Sequence, residues 1–94
     1  MAYRLDVTPA ATRDLKRLPQ DVRTTIRSTI DGLAEDPRPQ GYEKMEGSDD
    51  VYRVRCGHYR VIYQILDNVL TVIVVRARHR RDVYKHISDL VKRL

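Results

Sequence analysis

The sequence predicts an α+β domain in which helices pack on an antiparallel sheet. Three observations predict this fold class. Apolar residues alternate with a period of two near the N-terminus and again from Val51 onward. They recur with helical spacing from about residue 9 to residue 35, and again after Arg81. Proline, glycine or asparagine stands at most of the junctions. The 94 residues fit one domain spanning 1–94.

The N-terminal half predicts one strand followed by a helical hairpin. Residues 2–7 alternate as in a half-buried strand, and Thr8-Pro9 supplies an N-cap with proline at the first helical position. This helix should run to about Leu18, where Pro19 stops it, and a second helix should run from Gln20 to about Asp36. The apolar stripes that should face the core are Ala11, Leu15, Leu18, Val22, Ile26, Ile30 and Leu33.

The C-terminal half predicts an antiparallel meander and a last helix. Residues 43–46 are a candidate short strand. Three clearer strands follow, joined by the two-residue turns Gly57-His58 and Asp67-Asn68: Val51–Cys56, Tyr59–Leu66 and Val69–Arg76. Helical spacing returns after Arg81, with Asp82 as a candidate cap. The predicted fold is therefore an N-terminal strand and helical hairpin packed on an antiparallel three- to four-stranded sheet, with a C-terminal helix.

Positive charge is concentrated in the predicted sheet. The net charge of +5 arises entirely from residues 48–94, because residues 1–47 carry eight basic and eight acidic side chains. Between residues 51 and 81 there are seven arginines, no lysine and one acidic residue, Asp67. Arginine presents a planar fork suited to phosphate, whereas solubility would be served equally well by lysine. The distribution predicts a face that binds a polyanion.

Three of these arginines should share one face of the first hairpin. If Gly57-His58 is a two-residue turn, Arg55 lies directly opposite Arg60, and Arg53 projects from the same side. That side is opposite the core face. Like charges in directly opposed positions destabilise a hairpin by a few tenths to about 1 kcal/mol. Because the fold does not need this pair and a phosphate site does, we interpret the three residues as functional.

The end of the next strand and the following loop extend this basic set. A tyrosine, Tyr84, lies one turn or less inside the predicted last helix and can face the same site. We expect guanidinium, imidazole and phenol groups to meet in one shallow groove. The residues expected to bind phosphate or RNA there are Arg76, Arg78, Arg80 and Arg81, and His79 is a candidate for proton transfer.

Several function classes have no support in the sequence. There is no G-x-x-x-x-G-K-[ST] or G-x-G-x-x-G loop, so no nucleotide cofactor is expected. No acidic cluster suits a two-metal nuclease, and the three histidines are not spaced as one metal site. One cysteine, Cys56, cannot form an internal disulfide. No apolar run approaches the ~20 residues that span a bilayer. We expect a cytoplasmic protein without a metal, a small-molecule cofactor or a membrane partner.

Four segments resemble the RelE/ParE superfamily of toxins from bacterial type II toxin–antitoxin systems, specifically its RelE branch. They span nearly the whole chain and are MAYRLDVTPAATRDLKRL, EKMEG, VYRVRCGHYRVIYQI and LTVIVVRARHRRDVY. The resemblance implies a RelE-like fold and a metal-free endoribonuclease that cuts mRNA on the ribosome and inhibits translation. It also implies a cognate, RelB-like antitoxin as partner.

The resemblance also implies which residues act. The family's functional positions fall on Arg53 and Arg55, on Arg60, on Arg78 or His79, and on Tyr84. Better-known members carry lysine at the first two of these positions. Arginine preserves the charge there but does not readily release a proton.

The chemistry implied is attack of a ribose 2′-OH on the adjacent phosphate. The arginines would stabilise the charge of the phosphorane, and His79 or Tyr84 would move the proton. Two other classes remain open for this sequence: a ParE-like poison of DNA gyrase, and a non-enzymatic module that binds nucleic acid.

Overall fold

The computed structural model describes residues 2–82, which form two helices and five strands. Their order along the chain is β1 (Arg4–Val7), α1 (Pro9–Lys16), α2 (Gln20–Glu35), β2 (Glu43–Lys44), β3 (Val51–Cys56), β4 (Tyr59–Leu66) and β5 (Thr71–His79). The predicted α+β class is confirmed. The predicted C-terminal helix and Tyr84 lie outside the described residues.

The sheet is larger than predicted and is mixed. Its order is β1-β5-β4-β3-β2, antiparallel throughout except that β1 runs parallel to β5. Strands β2–β5 are the antiparallel strands that the sequence predicted, and the prediction missed only that the N-terminal strand joins their sheet. The N-terminal strand is an edge of the sheet, and the total is five. The local sequence did not reveal this pairing because Arg4 lies opposite Thr71, far along the chain.

Both helices begin where the sequence predicted and pack on the sheet. The Thr8 hydroxyl accepts a hydrogen bond from the Ala11 amide at 3.1 Å and caps α1. Helix α1 ends at Lys16, two residues early, because the amide of Leu18 already donates to the Leu15 carbonyl in a tighter turn. No helix within residues 2–82 is long and apolar enough to cross a membrane. The main core comprises Ala11, Leu15, Ile26, Ile30, Leu33, Val54, Val61, Tyr63, Ile65, Val72, Val74 and Ala77.

One predicted turn is confirmed and the other was wrong. Cys56 lies opposite Tyr59, so Gly57-His58 is a two-residue turn. The glycine adopts a φ of 61°, which costs other residues strain. The second hairpin is not closed by Asp67-Asn68 alone. Residues Asp67–Val69 form a short 3₁₀ helix, and Leu70 follows with a φ of 48°. Strand β5 therefore begins at residue 71 and continues to residue 79.

A β-bulge interrupts the pairing of β4 with β5. Ile62 lies opposite Arg76 but Tyr63 lies opposite Val74, so β5 carries one extra residue, Val75. The bulge changes which face the following residues of β5 occupy. A smaller apolar cluster of Met45, Val51, Ile62 and Val75 is buried separately from the main core.

Candidate functional site

The three arginines of the first hairpin lie together, as predicted. Arg53 and Arg55 project from β3 and Arg60 from β4, on the face opposite the main core. With Gly41 and Glu43 they line a cavity of about 140 Å³. We call this cavity the arginine pocket.

Arg55 and Arg60 are direct cross-strand neighbours in the arginine pocket. Both donate to the carbonyl of Gly57, from Arg55 Nε at 3.4 Å and from Arg60 Nη1 at 3.2 Å. Arg60 Nη1 also donates to the carbonyl of Tyr59 at 3.0 Å. A neutral carbonyl orients these guanidinium groups but does not cancel their charge. In the part of the chain that the structure describes, neither arginine forms an ion pair with a carboxylate.

The sequence interpretation missed a carboxylate in the arginine pocket. Glu43 on β2 lies opposite Arg53, and its Oε2 accepts from Arg53 Nη2 at 2.8 Å. Both side chains are partly exposed, so the pair contributes about 1 kcal/mol or less. The available signal was the candidate strand at residues 43–46, whose register would have placed this acid beside the arginine. Its carboxylate leaves the pocket with an excess of two positive charges.

Arg76 does not join the other arginines but pairs with Asp14 of α1. Its Nε and Nη2 donate to the two carboxylate oxygens of Asp14 at 2.8 and 3.0 Å. The amide of Ala77 donates to the same carboxylate at 3.1 Å. The Asp14 side chain is only 4% exposed. The structure therefore does not bring Arg76 to the arginine pocket. The sequence offered a signal for Asp14, because an acid inside the apolar stripe of α1 requires a buried partner.

Arg78 is near the arginine pocket in the sheet but lines a separate cavity of about 210 Å³, together with Asp14 and His79. It lies directly opposite Arg60, and directly opposed residues project from the same face. Its Nε is also 3.9 Å from an oxygen of Asp14. Arg78 thus stands between the arginine pocket and the buried carboxylate.

His79 lies on the other face. It is opposite Tyr59, whose side chain packs against the main core, and the two rings meet edge to face at 5.3 Å. Its Nδ1 accepts from the Arg81 amide at 3.1 Å. Arg80 and Arg81 are exposed just beyond the strand. The single groove expected from the sequence is therefore divided: the structure separates His79 from the pocket, and Tyr84 lies outside the described residues.

A second polar network lies at the opposite end of the first hairpin's strands. The Asp67 carboxylate accepts from Arg38 Nη2 and from the Tyr3 hydroxyl, each at 2.7 Å. The Arg38 hydrogen bond, with that of Tyr3, lowers the pKa of Asp67. Burial raises the pKa of Tyr63, whose hydroxyl donates to the Pro37 carbonyl at 2.7 Å. These contacts hold the turn and loop rather than a reacting group.

No three His, Cys, Asp or Glu side chains within residues 2–82 are grouped so that they could hold a metal ion. The chemistry available in the arginine pocket is hydrogen bonding to, and electrostatic stabilisation of, an anion such as a phosphodiester.

Comparison with known proteins gives a consistent set of similarities. Residues 5–84 match the family described as ParE toxin of type II toxin-antitoxin system, parDE. The chain is 35% identical to the mRNA interferase toxin RelE of Escherichia coli K12, over 100% of this chain and 99% of that protein. A mutant of E. coli toxin RelE in the free state has a similar structure, with a TM-score of 0.81 and 28% identity over 100% of this chain and 99% of that one.

A toxin of a solved complex is similar as well. In the toxin–antitoxin complex RelBE2 from Mycobacterium tuberculosis, the matching chain has a TM-score of 0.76 and 27% identity. The match covers 85% of this chain and 100% of that one.

Proposed function

The chain belongs to the RelE/ParE family of type II toxin–antitoxin toxins, and from this membership we propose that it is an mRNA interferase, an endoribonuclease that cuts mRNA and inhibits translation. The whole chain aligns with a relative named for that activity. The structural observation that carries the proposal is the arginine pocket, in which two like charges are held directly opposite each other.

The arginine pocket suits the phosphodiester group of an RNA chain. The pocket lies on the face of the hairpin opposite the main core, where Arg53 and Glu43 are partly exposed, so it can accept a phosphate that belongs to a long chain. Guanidinium groups bind phosphate oxygens in a bidentate manner. Their charge stabilises the transition state more than the bound substrate, because a second negative charge develops on the phosphate during the reaction. The repulsion between Arg55 and Arg60 in the empty pocket is relieved when a phosphate lies between them.

The proposed reaction is attack by a ribose 2′-OH on the adjacent phosphorus. The 2′-oxygen–phosphorus bond forms and the bond from phosphorus to the 5′-oxygen breaks, which yields a 2′,3′-cyclic phosphate and a 5′-hydroxyl. One proton leaves the 2′-OH and one reaches the departing 5′-oxygen. Arg53, Arg55, Arg60 and Arg78 would stabilise the charge of the phosphorane between these steps.

Proton transfer requires a further group, and we assign it to Tyr84. The position of His79 on the core-facing side argues against its acting on a phosphate in the arginine pocket. Replacing Tyr84 by phenylalanine should lower the cleavage rate by ~10²-fold, the usual contribution of one proton-transfer group. Replacing His79 by glutamine should change it much less. The reverse order of effects would reassign the proton transfer to His79.

The ribosome, mRNA and an antitoxin are the partners we propose. Within residues 2–82 the arginine pocket contacts a phosphate through a few charged side chains and provides little orientation for the rest of an mRNA, so a ribosome that holds the mRNA would supply it. We accordingly propose that the protein acts in the cytoplasm. A toxin of this kind also needs a cognate antitoxin, and several solved relatives are described as RelB–RelE complexes.

The test is cleavage of a defined mRNA by the purified protein, with and without ribosomes. We expect cuts at codon-phased positions, mapped by primer extension, only when ribosomes carry the message. Rapid digestion of the naked transcript at the same enzyme concentration would contradict ribosome dependence. Absence of cleavage under both conditions would contradict the endoribonuclease itself.

A gyrase poison is the second candidate, because the matching family is described by the name ParE. This alternative predicts that the protein stabilises cleaved complexes of DNA gyrase on supercoiled plasmid. The mRNA interferase leaves gyrase unaffected. Running both assays with the same preparation separates the two activities.

A further inference from the structure

The edge of β5 is covered by two different elements. Strand β1 pairs only with the first four residues of β5, from Thr71 to Val74. Beyond Val74, this edge of β5 is contacted by Thr8 and by α1. The amide of Thr8 donates to the Val74 carbonyl at 3.0 Å, and its hydroxyl donates to the Val75 carbonyl at 3.0 Å. Along this edge the second half of β5 is therefore contacted by Thr8 and α1 rather than by a strand, while β4 pairs with it along the other edge.

Asp14 is the residue of α1 that completes this edge. Its buried carboxylate accepts three hydrogen bonds from β5, two from Arg76 and one from the amide of Ala77. A carboxylate removed from water is stable only when it is paired and hydrogen-bonded, as it is here. A single charge pair with Arg76 would be enough to satisfy it.

A second guanidinium nevertheless lies beside the same carboxylate. Arg78 Nε is 3.9 Å from Asp14 Oδ1, and the Arg78 side chain is 30% exposed. Arg78 lies directly opposite Arg60 in the sheet, so it is the cross-strand neighbour of a residue of the arginine pocket, while its side chain lines a separate cavity with Asp14. Asp14 thus forms a bidentate ion pair with Arg76 and also attracts Arg78, which is partly exposed.

We propose that Asp14 is a positioning residue for RNA cleavage, acting through Arg78; this rests on the proposed function above. The carboxylate fixes the course of β5 and draws the Nε side of Arg78 toward α1. With Nε held there, the two terminal nitrogens of Arg78 would bind the phosphate from the side of β5. Asp14 itself does not touch the substrate.

The test is a double-mutant cycle between Asp14 and Arg78, with the cleavage rate on ribosome-bound mRNA as the readout. Asp14→Asn should lower the rate at saturating substrate about tenfold in the wild-type background. It should cost less than about twofold when Arg78 is already alanine. Asp6→Asn, which removes an exposed acid of β1, is the matched control and should retain the wild-type rate.

Stability is measured beside activity, because a purely structural role would lower the folded fraction. Rates are compared per folded molecule, from thermal unfolding of each variant. If Asp14→Asn does not fold, Asp14→Glu keeps the charge with a longer reach and is tested in the same two backgrounds. An equal loss in both backgrounds, or an unchanged rate in folded Asp14→Asn, would overturn the proposal.

A second readout separates this inference from the proposed function. In ¹⁵N-labelled protein, the Nε–Hε resonance of Arg78 should shift when Asp14 is replaced by asparagine. If the wild-type protein cleaves no mRNA, the proposed function fails and the role in cleavage fails with it. An Arg78 resonance that does not move, in a wild type that does cleave, would overturn the positioning role alone.

Discussion

The opposed pair Arg55 and Arg60 predicts that one substitution raises stability and strongly lowers activity. Replacing Arg55 by threonine removes a charge that faces another positive charge across the hairpin. Arg53 provides the matched control, because it lies on the same face of the same strand but contacts the carboxylate of Glu43. Arg53→Thr should therefore lower stability slightly, while Arg55→Thr should raise it.

The expected magnitude follows from the exposure of the pair and its contacts. Opposed like charges on a sheet cost a few tenths to about 1 kcal/mol, and threonine suits an exposed strand position. The hydrogen bond lost from Arg55 to the Gly57 carbonyl is long, at 3.4 Å, and exposed. We expect a net gain of about 0.3–1 kcal/mol. In a domain of this size that raises the melting temperature by roughly 2–6 °C.

Thermal and urea unfolding at two salt concentrations measure this effect. The gain for Arg55→Thr should shrink in ~1 M salt, where the screening length falls to about 3 Å. Its cleavage rate should fall ~10²-fold, in line with the loss of one electrostatic donor. A destabilised Arg55→Thr, or a gain that is indifferent to salt, would refute the view that the pair is held against repulsion. Cleavage at the wild-type rate would refute its functional role.

Three further predictions concern the pocket and its supports. Glu43→Gln removes the one carboxylate that lines the arginine pocket within residues 2–82 and should tighten RNA binding roughly two- to fivefold, measured by titration at low salt; weaker binding would contradict the view that Glu43 repels the RNA phosphate. The hydrogen bond from Arg38 lowers the pKa of Asp67, so the stabilisation by Asp67 is present at neutral pH and is lost as the pH falls through the folded-state pKa. Asp67→Asn should accordingly be less stable than wild type above about pH 5 and approach it in stronger acid; a constant difference at all pH values would count against the pairing. Tyr63→Phe leaves the buried Pro37 carbonyl without its donor and should cost about 1–3 kcal/mol in urea unfolding; a neutral result would show that water replaces the hydroxyl.

Local signals were sufficient for the parts of the fold that neighbouring residues determine. Thr8 and Pro9 mark the start of α1, and the glycine at position 57 permits the tight turn that sets the register of the first hairpin. Because that register is local, the juxtaposition of Arg53, Arg55 and Arg60 could be predicted from the sequence alone.

Features that depend on distant contacts could not be predicted in this way. Leu70 adopts a left-handed conformation that a bulky residue normally avoids, after a turn whose Asp67 is held by Arg38 and Tyr3. The start of β5 and its bulge shift the register beyond that turn. His79 consequently occupies the core-facing side rather than the groove expected for it.

The two acids near the arginines were missed for a related reason. Glu43 meets Arg53 only through a two-residue strand, which carries too few residues for a periodic signal. Asp14 meets Arg76 across 62 positions of sequence. Each acid changes the role of the arginine it contacts, so the seven arginines do not form one equivalent set.

The cleavage rate of Arg60→Ala on ribosome-bound mRNA tests the central claim most directly. Arg4→Ala is the matched control, because it removes the same charge from an exposed position on β1. Under single-turnover conditions and per folded molecule, we predict a loss of ~10²–10³-fold for Arg60→Ala and less than about twofold for the control. A rate for Arg60→Ala within about twofold of wild type would contradict the account, because the arginine pocket would then not be the site at which RNA is cut.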